Sequence, residues 1–236
     1  MKKYIGYRSP DFALPFSKFY DEKFSELPEH ARKALENGPV PAGSLPPHES
    51  ATELLNKKYS EVETGFSLEK DGSIRVAVLT PMPRVSPKMW DWWFGWHGCS
   101  AARYKLWHPL AHQDARWKDG RDDVGYVGRV SIIEEIIGEK MEKAAIQFVS
   151  PDKLGFAPAD FSDKNKVVFI CARIGHASLP IDFGWLVHQV RATENGAEMR
   201  SRFWMGGRHI SIRGGGAVGG VLSKIIQKMM PLPEQQ

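Results

Sequence analysis

The chain has 236 residues, of which 42% are hydrophobic and 11% aromatic, and this composition supports one large domain with a substantial core. Its 32 Lys and Arg residues nearly balance its 28 Asp and Glu residues, so we expect no nucleic-acid partner. No window approaches the roughly 18 apolar residues of a membrane span, and no apolar signal segment follows Lys2 and Lys3. We therefore expect a soluble, cytoplasmic protein without a membrane partner, in which Cys99 and Cys171 are reduced thiols.

Short helices and loops are predicted for residues 1–65. Ser25–Gly38 has the pattern of a helix, with a proline near its first turn and a glycine as its C-terminal stop. Pro39–Pro47 contains four prolines and is predicted to be a loop, and a second short helix is expected at Glu49–Lys58. We divide the chain into this N-terminal helical and loop region and one main domain over residues 66–236.

The pattern beyond Glu61 favours an antiparallel sheet. A hairpin is expected around the turn Asp71-Gly72. Ser86 and Pro87 have the residue types of a helix start, so the tryptophan run that follows is predicted to lie on a helix. Further strands are predicted at Val124–Ile137, Ala144–Val149, Lys166–Arg173 and in a long pair from Phe183 to Met205.

The long pair contains Asn195-Gly196, a dipeptide that is favoured in two-residue type I′ turns. Such a turn pairs His188 directly with Phe203. It also places Leu186 and Val190 on the same sheet face as His188. His188 is therefore expected to share the environment of these apolar side chains.

The last apolar segment runs from Val218 to Met230 at helical spacing and ends at Pro231, which predicts an amphipathic helix. The glycine-rich stretch before it, Gly214–Gly220, lacks the Lys-Ser/Thr ending of a phosphate-binding loop and is predicted to be a flexible connector. Short helices, an antiparallel sheet and a final helix make an α+β layout. A curved sheet around a helix would enclose a ligand-sized cavity.

The segment Trp90–His112 holds five of the eight tryptophans and three of the eight histidines within 23 residues. Bulky rings exclude water, and imidazoles among them can bind a metal or move a proton near neutral pH. The segment therefore predicts a dry pocket that contains histidine. The alternative for most of the tryptophans is ordinary core packing.

Two pairs of polar residues are further candidates. His108 and His112 stand four apart, so a helix would place both imidazoles on one face. Pro109 replaces the glutamate of metalloproteases, which disfavours a protease. Glu134 and Glu135 lie in a predicted strand, where neighbours point to opposite faces, so at most one of them enters a cavity. The alternative for both pairs is a solvated position.

Four segments together resemble the 2,4-diacetylphloroglucinol hydrolase family, which includes phloretin hydrolase: Met89–His97, Arg103–His112, Gly128–Gly138 and Glu198–Gly206. The similarity extends from about Glu26 to Gly206. It implies a Bet v 1-like helix-grip fold and a zinc-dependent hydrolase that cleaves the carbon–carbon bond between an acyl group and a polyhydroxylated phenol ring. In the implied retro-Claisen reaction, zinc polarises the ketone and activates water, while the ring leaves as its keto–enol tautomer.

The resemblance also assigns roles to six residues: the Zn²⁺ ligands His112 and Glu135, the catalytic and substrate-contacting His188 and Tyr104, and the substrate-contacting Trp93 and Phe203. It selects Glu135 rather than Glu134. Phe203 stands where the diacetylphloroglucinol enzyme looks to have a tyrosine that assists catalysis, and Ala115 stands where it looks to have an asparagine. These departures leave the exact acyl-phenol substrate open.

A larger departure concerns the metal. The family's other two ligands form a His-x-x-x-Glu pair on a later helix, and this sequence reaches Gln236 before any such pair. The alternatives are a truncated chain, a variant that has lost the metal, or substitution by His97 or His108. We favour the first two, because Pro109 hinders His108 from turning inward beside His112. A main domain without that helix would expose an apolar groove and favour homo-oligomers. The alternative function is a catalytically silent module that binds a small molecule.

Overall fold

The computed structural model describes residues 5–23, 26–122, 125–214 and residue 223. Within these residues it has nine strands: β1 (Gly65–Leu68), β2 (Ser73–Pro83), β3 (His112–Trp117), β4 (Val130–Ile137), β5 (Lys140–Val149), β6 (Val167–His176), β7 (Ile181–Thr193), β8 (Gly196–Gly206) and β9 (Ser211–Ile212). The α-helices of the same residues are α1 (Glu29–Glu36), α2 (Pro87–His97) and α3 (Ala101–Lys105). Shorter 3-10 helices lie at Ser9–Ala13, Ser17–Phe19, His48–Leu55, Pro151–Leu154, Pro158–Phe161 and Gly207–His209.

The strands form one antiparallel sheet in the order β1-β2-β8-β7-β6-β5-β4-β3, and β9 pairs with β7. Helix α2 lies across β6 and β7 on one face of this sheet. The predicted α+β fold, a sheet packed around a helix in the helix-grip manner, is confirmed. No helix in the described part of the chain combines the length and the apolar character that crossing a membrane would require.

Each face of the sheet carries its own cluster of packed side chains. Successive side chains of a strand point to opposite faces, so neighbouring residues belong to different clusters. In β6, Ile170 belongs to the core cluster that includes Phe94 of α2, whereas its neighbour Phe169 belongs to a second cluster on the opposite face. The second cluster contains Leu54 from the N-terminal region. The N-terminal region therefore packs onto the back of the sheet, and the division of the chain near residue 65 stays a prediction.

Several predicted elements are confirmed with small changes of boundary. Helix α1 lies within the predicted segment, and the second predicted helix is present as the 3-10 helix His48–Leu55. The hairpin of β1 and β2 turns at Gly72, which has the positive φ of +80° that favours glycine. The start of α2 is as expected, because the Ser86 side chain accepts a hydrogen bond from the Met89 backbone N–H at 3.2 Å.

The predicted register of the long hairpin is wrong by two residues. Thr193 pairs with Gly196, so the two-residue loop is Glu194-Asn195, and His188 pairs with Ser201 rather than with Phe203. Gly196 is a strand residue here because it also pairs with β2. A shift of two residues keeps every side chain on its face. The rings of His188 and Phe203 therefore still meet, with centroids 5.6 Å apart.

Two other predictions differ from the structure. His108 and His112 do not share a helix, because a turn follows α3 and His112 is the first residue of β3. The proline after His108 accounts for this, since it limits helix continuation. The strand predicted from Val124 begins at Val130 instead. Of the predicted helix over residues 218–230, only Ser223 is among the described residues, and it is helical.

We expect Gly196→Ala to destabilise the protein by about 1–3 kcal/mol. Gly196 has a φ of +138°, and a Cβ there would lie 2.6 Å from the Arg84 backbone nitrogen and 2.7 Å from the Met82 carbonyl oxygen. Urea denaturation measures the effect. Gly125→Ala is the control, since a Cβ there meets nothing within 4 Å, and an equal loss in both variants would contradict the prediction.

Candidate active site

The centre of the candidate site is a direct cross-strand pair. His112 of β3 pairs with Glu135 of β4, and His112 Nε2 lies 3.7 Å from Glu135 Oε2. Tyr104 of α3 completes the group, because its hydroxyl donates a hydrogen bond to Glu135 Oε2 at 2.9 Å. The structure thus brings together three of the residues to which the sequence assigned roles.

His112 is held in one orientation and one tautomer. Its Nδ1 lies 3.0 Å from the backbone carbonyl oxygen of Tyr104, which only accepts, so Nδ1 carries the proton and Nε2 keeps its lone pair. The imidazole also stacks on the Tyr104 ring at 3.7 Å with 1° between the planes. Burial lowers the pKa of His112 to about 3, so the ring is neutral near pH 7.

Glu135 and its neighbour Glu134 occupy opposite faces, as the strand pattern predicts. Glu134 forms an ion pair with Lys143 on β5. Burial raises the pKa of Glu135, while the hydrogen bond from Tyr104 partly offsets this by lowering it. Burial and the negative charge of Glu135 raise the pKa of Tyr104 well above its usual value, so Tyr104 is a phenol that donates its proton.

The spacing of His112 and Glu135 would allow both side chains to bind one divalent metal such as zinc. The separation of 3.7 Å between Nε2 and Oε2 is too long for a hydrogen bond but shorter than about 4.2 Å, twice a typical zinc–ligand distance. The hydrogen bond from His112 Nδ1 to a carbonyl is also the usual support of a metal-binding histidine. Among the described residues, however, no group of three or more His, Cys, Asp or Glu side chains is arranged to hold a metal ion. Neither His97 nor His108 completes such a group there.

Aromatic rings form the wall next to this pair. His97 stacks between Trp93, at 5.1 Å, and Tyr104, at 5.7 Å. The His97 Nδ1 atom lies 2.7 Å from the Trp93 carbonyl oxygen, and burial lowers the pKa of His97 to about 4. The indole N–H of Trp93 is buried and has no hydrogen-bond partner in the described part of the protein.

His188 joins the site from the middle of the sheet. Its ring contacts Phe94 at 5.8 Å, and Phe94 in turn contacts His97 at 5.1 Å. His188 is 6% exposed, and burial lowers its pKa to about 4. The Phe203 ring meets the His188 ring edge-on. Trp93, Tyr104, His112, Glu135, His188 and Phe203 thus line one continuous aromatic region.

Sequence reasoning missed two members of this region. Trp107 packs edge-on against His97 and His112, at 5.5 and 5.3 Å, although it stood inside the aromatic segment singled out above. Ser201 bonds to His188 at 2.7 Å. The wrong hairpin register concealed Ser201, because it placed Phe203 at that position.

The geometry defines an antiparallel α+β protein with a largely buried imidazole–carboxylate pair beside a cluster of aromatic rings. The family model described as the DAPG hydrolase PhiG domain matches residues 45–235. The chain therefore belongs to this family.

Curated relatives bear hydrolase names. Phloretin hydrolase of Eubacterium ramulus is 27% identical, over 86% of this chain and 77% of that protein. The 2,4-diacetylphloroglucinol hydrolase of Pseudomonas protegens is 23% identical, over 81% of this chain and 66% of that protein. A protein of the same name from a Pseudomonas species is also 23% identical, over 81% of this chain and 69% of that protein.

Similarity to solved structures is lower. Ginseng major latex-like protein 151 from Panax ginseng has a TM-score of 0.38 and 14% identity, over 66% of this chain and 90% of that chain. Ara h 8.0201 has a TM-score of 0.34 and 12% identity, over 66% of this chain and 91% of that chain. The family membership therefore rests on the sequence matches.

Proposed function

We propose that this protein is a zinc-dependent hydrolase that cleaves the carbon–carbon bond between an acyl group and a polyhydroxylated phenol ring. The observation that carries the proposal is the pair of His112 Nε2 and Glu135 Oε2, 3.7 Å apart in a buried aromatic region. The names of the relatives, phloretin hydrolase and 2,4-diacetylphloroglucinol hydrolase, support this substrate class.

His112 and Glu135 would hold the metal. When bound, zinc supplies a Lewis acid and lowers the pKa of water near it. Tyr104 fixes the Glu135 carboxylate through its hydroxyl, and the Tyr104 carbonyl fixes His112 through Nδ1. In this proposal, a substrate ring would lie among these flat side chains, and the indole N–H of Trp93 would donate to one of its oxygens. The surrounding rings exclude water and strengthen each of these polar contacts.

The runner-up is a catalytically silent module that binds a flat aromatic molecule without metal. A catalytic zinc site commonly has three protein ligands, and the described residues supply two. That shortfall favours the module. Metal content separates the two functions.

We expect the purified protein to contain close to one zinc per chain, and His112→Ala to lose it, because one of the two donors is removed. Elemental analysis after gel filtration gives the ratio. His30→Ala is the matched control, since His30 is exposed on α1 and bonds only to the Leu79 carbonyl within the described residues. Metal-free wild-type protein that binds phloroglucinol would instead establish the silent module.

A further inference from the structure

His188 and Ser201 face each other across β7 and β8 as directly paired residues. Ser201 Oγ lies 2.7 Å from His188 Nδ1, and the two residues are 3% and 6% exposed. A contact this short between two buried polar groups is a hydrogen bond with a fixed direction. Its direction decides which nitrogen of His188 carries the proton.

The direction follows from counting donors and acceptors. If Nδ1 donated to Ser201, the serine hydroxyl hydrogen would be buried without an acceptor, since Oγ has no other partner among the described residues. If the hydroxyl donates to Nδ1, both groups are satisfied. The second arrangement costs less free energy, and it puts the proton of the neutral ring on Nε2. In the described structure, Nε2 has no hydrogen-bond partner of its own.

The other two imidazoles of the region have the opposite tautomer. His97 and His112 each bond through Nδ1 to a backbone carbonyl oxygen, which cannot donate. Their protons therefore sit on Nδ1, and their Nε2 atoms carry lone pairs. The Nε2 atom of His112 lies 3.7 Å from Glu135 Oε2. The Nε2 atom of His97 has no hydrogen bond to any described residue. The region thus contains one imidazole donor and one free imidazole acceptor.

We propose that Ser201 is a positioning residue that holds His188 as the Nε2–H tautomer, so that His188 donates a hydrogen bond to the substrate while His97 Nε2 accepts one. This arrangement selects a ligand that carries both an accepting oxygen and a hydroxyl, as a hydroxyaryl ketone does. The tautomer itself is a property of the free protein. Only the identity of the ligand rests on the function proposed above.

Long-range ¹H–¹⁵N NMR of the imidazoles at pH 7, without substrate, tests the tautomers directly. We expect His188 to show an unprotonated, hydrogen-bonded Nδ1 and a protonated Nε2, and His97 and His112 to show the reverse. In Ser201→Ala, the Nδ1 resonance of His188 should move to the position of a nitrogen without a hydrogen bond. A protonated Nδ1 on His188 of the wild-type protein would overturn the proposal.

Kinetics with 2,4-diacetylphloroglucinol and phloretin supply the second readout. Ser201→Ala should lower kcat about tenfold, as loss of a supporting hydrogen bond commonly does, and Ser201→Thr should restore it because the hydroxyl returns. Ser131→Ala is the control, since it removes another buried hydroxyl, which donates to the Gly98 carbonyl. Equal losses for Ser201→Ala and Ser131→Ala would overturn the positioning role. If the wild-type protein cleaves neither compound, the proposed substrate class fails, and the NMR result still decides the tautomers.

Discussion

Glu135→Gln is expected to lower kcat/KM for acyl-phenol cleavage by about 100-fold or more. The change removes a negative oxygen that would face the metal, and Lewis-acid stabilisation of a transition state amounts to several kcal/mol. The amide is nearly the same size as the carboxylate, and its carbonyl oxygen can still accept the hydrogen bond from Tyr104. The fold should therefore survive, and the loss should reflect chemistry.

Glu134→Gln is the matched control for this prediction. It makes the same chemical change one residue away, on the opposite face of β4, where Glu134 forms an ion pair with Lys143. Its kcat/KM should stay within about twofold of the wild type, because the side chain of Lys143 is mostly exposed and such pairs contribute little. Initial rates and zinc content should be measured on both variants. Equal activity of Glu135→Gln and Glu134→Gln would refute a ligand role for Glu135.

Sequence patterns sufficed wherever local chemistry decides the structure. Ser86 and Pro87 marked the start of α2, and Asp71-Gly72 marked the first hairpin, because capping and turn geometry depend on a few adjacent residues. The separation of Glu134 from Glu135 onto opposite faces follows from the period of a strand alone. For these features, a few adjacent residues contain the whole physical cause.

Features that depend on distant contacts were not predictable in the same way. The turn dipeptide Asn195-Gly196 favoured one register, but Gly196 is also a partner of β2, and this third strand selects another. The spacing of His108 and His112 favoured a shared helix, whereas pairing with β4 makes His112 a strand residue. His112 and Glu135 were matched by resemblance, and no local pattern could show that the two positions pair across strands. The roles of these two residues stay predictions.

The second large predicted effect is a loss of stability, and it concerns an ionic cluster on the back of the sheet. Glu63, which precedes β1, bonds to Arg200 and Arg202 of β8, with oxygen–nitrogen distances of 2.6 and 2.5 Å. The arginine side chains are 1% and 4% exposed, and that of Glu63 is 10% exposed. Removing the carboxylate that they share leaves two buried cations close together without that counter-charge. We therefore expect Glu63→Gln to destabilise the protein by about 3–5 kcal/mol.

The same cluster predicts how this destabilisation depends on pH. Burial alone would raise the pKa of Glu63, but hydrogen bonds from Arg200 and Arg202 outweigh it and lower the pKa to about 2, from 4.5. The unfolded chain then binds this proton more readily than the folded one, so the stabilisation is complete above about pH 4.5 and disappears as the pH falls toward 2. Urea denaturation of wild type and Glu63→Gln between pH 2.5 and about 7 should show a stability difference that shrinks in this window. Glu61→Gln, an exposed neighbour, should show no such difference, and a gap between wild type and Glu63→Gln that stays constant with pH would contradict the role of the Glu63 carboxylate.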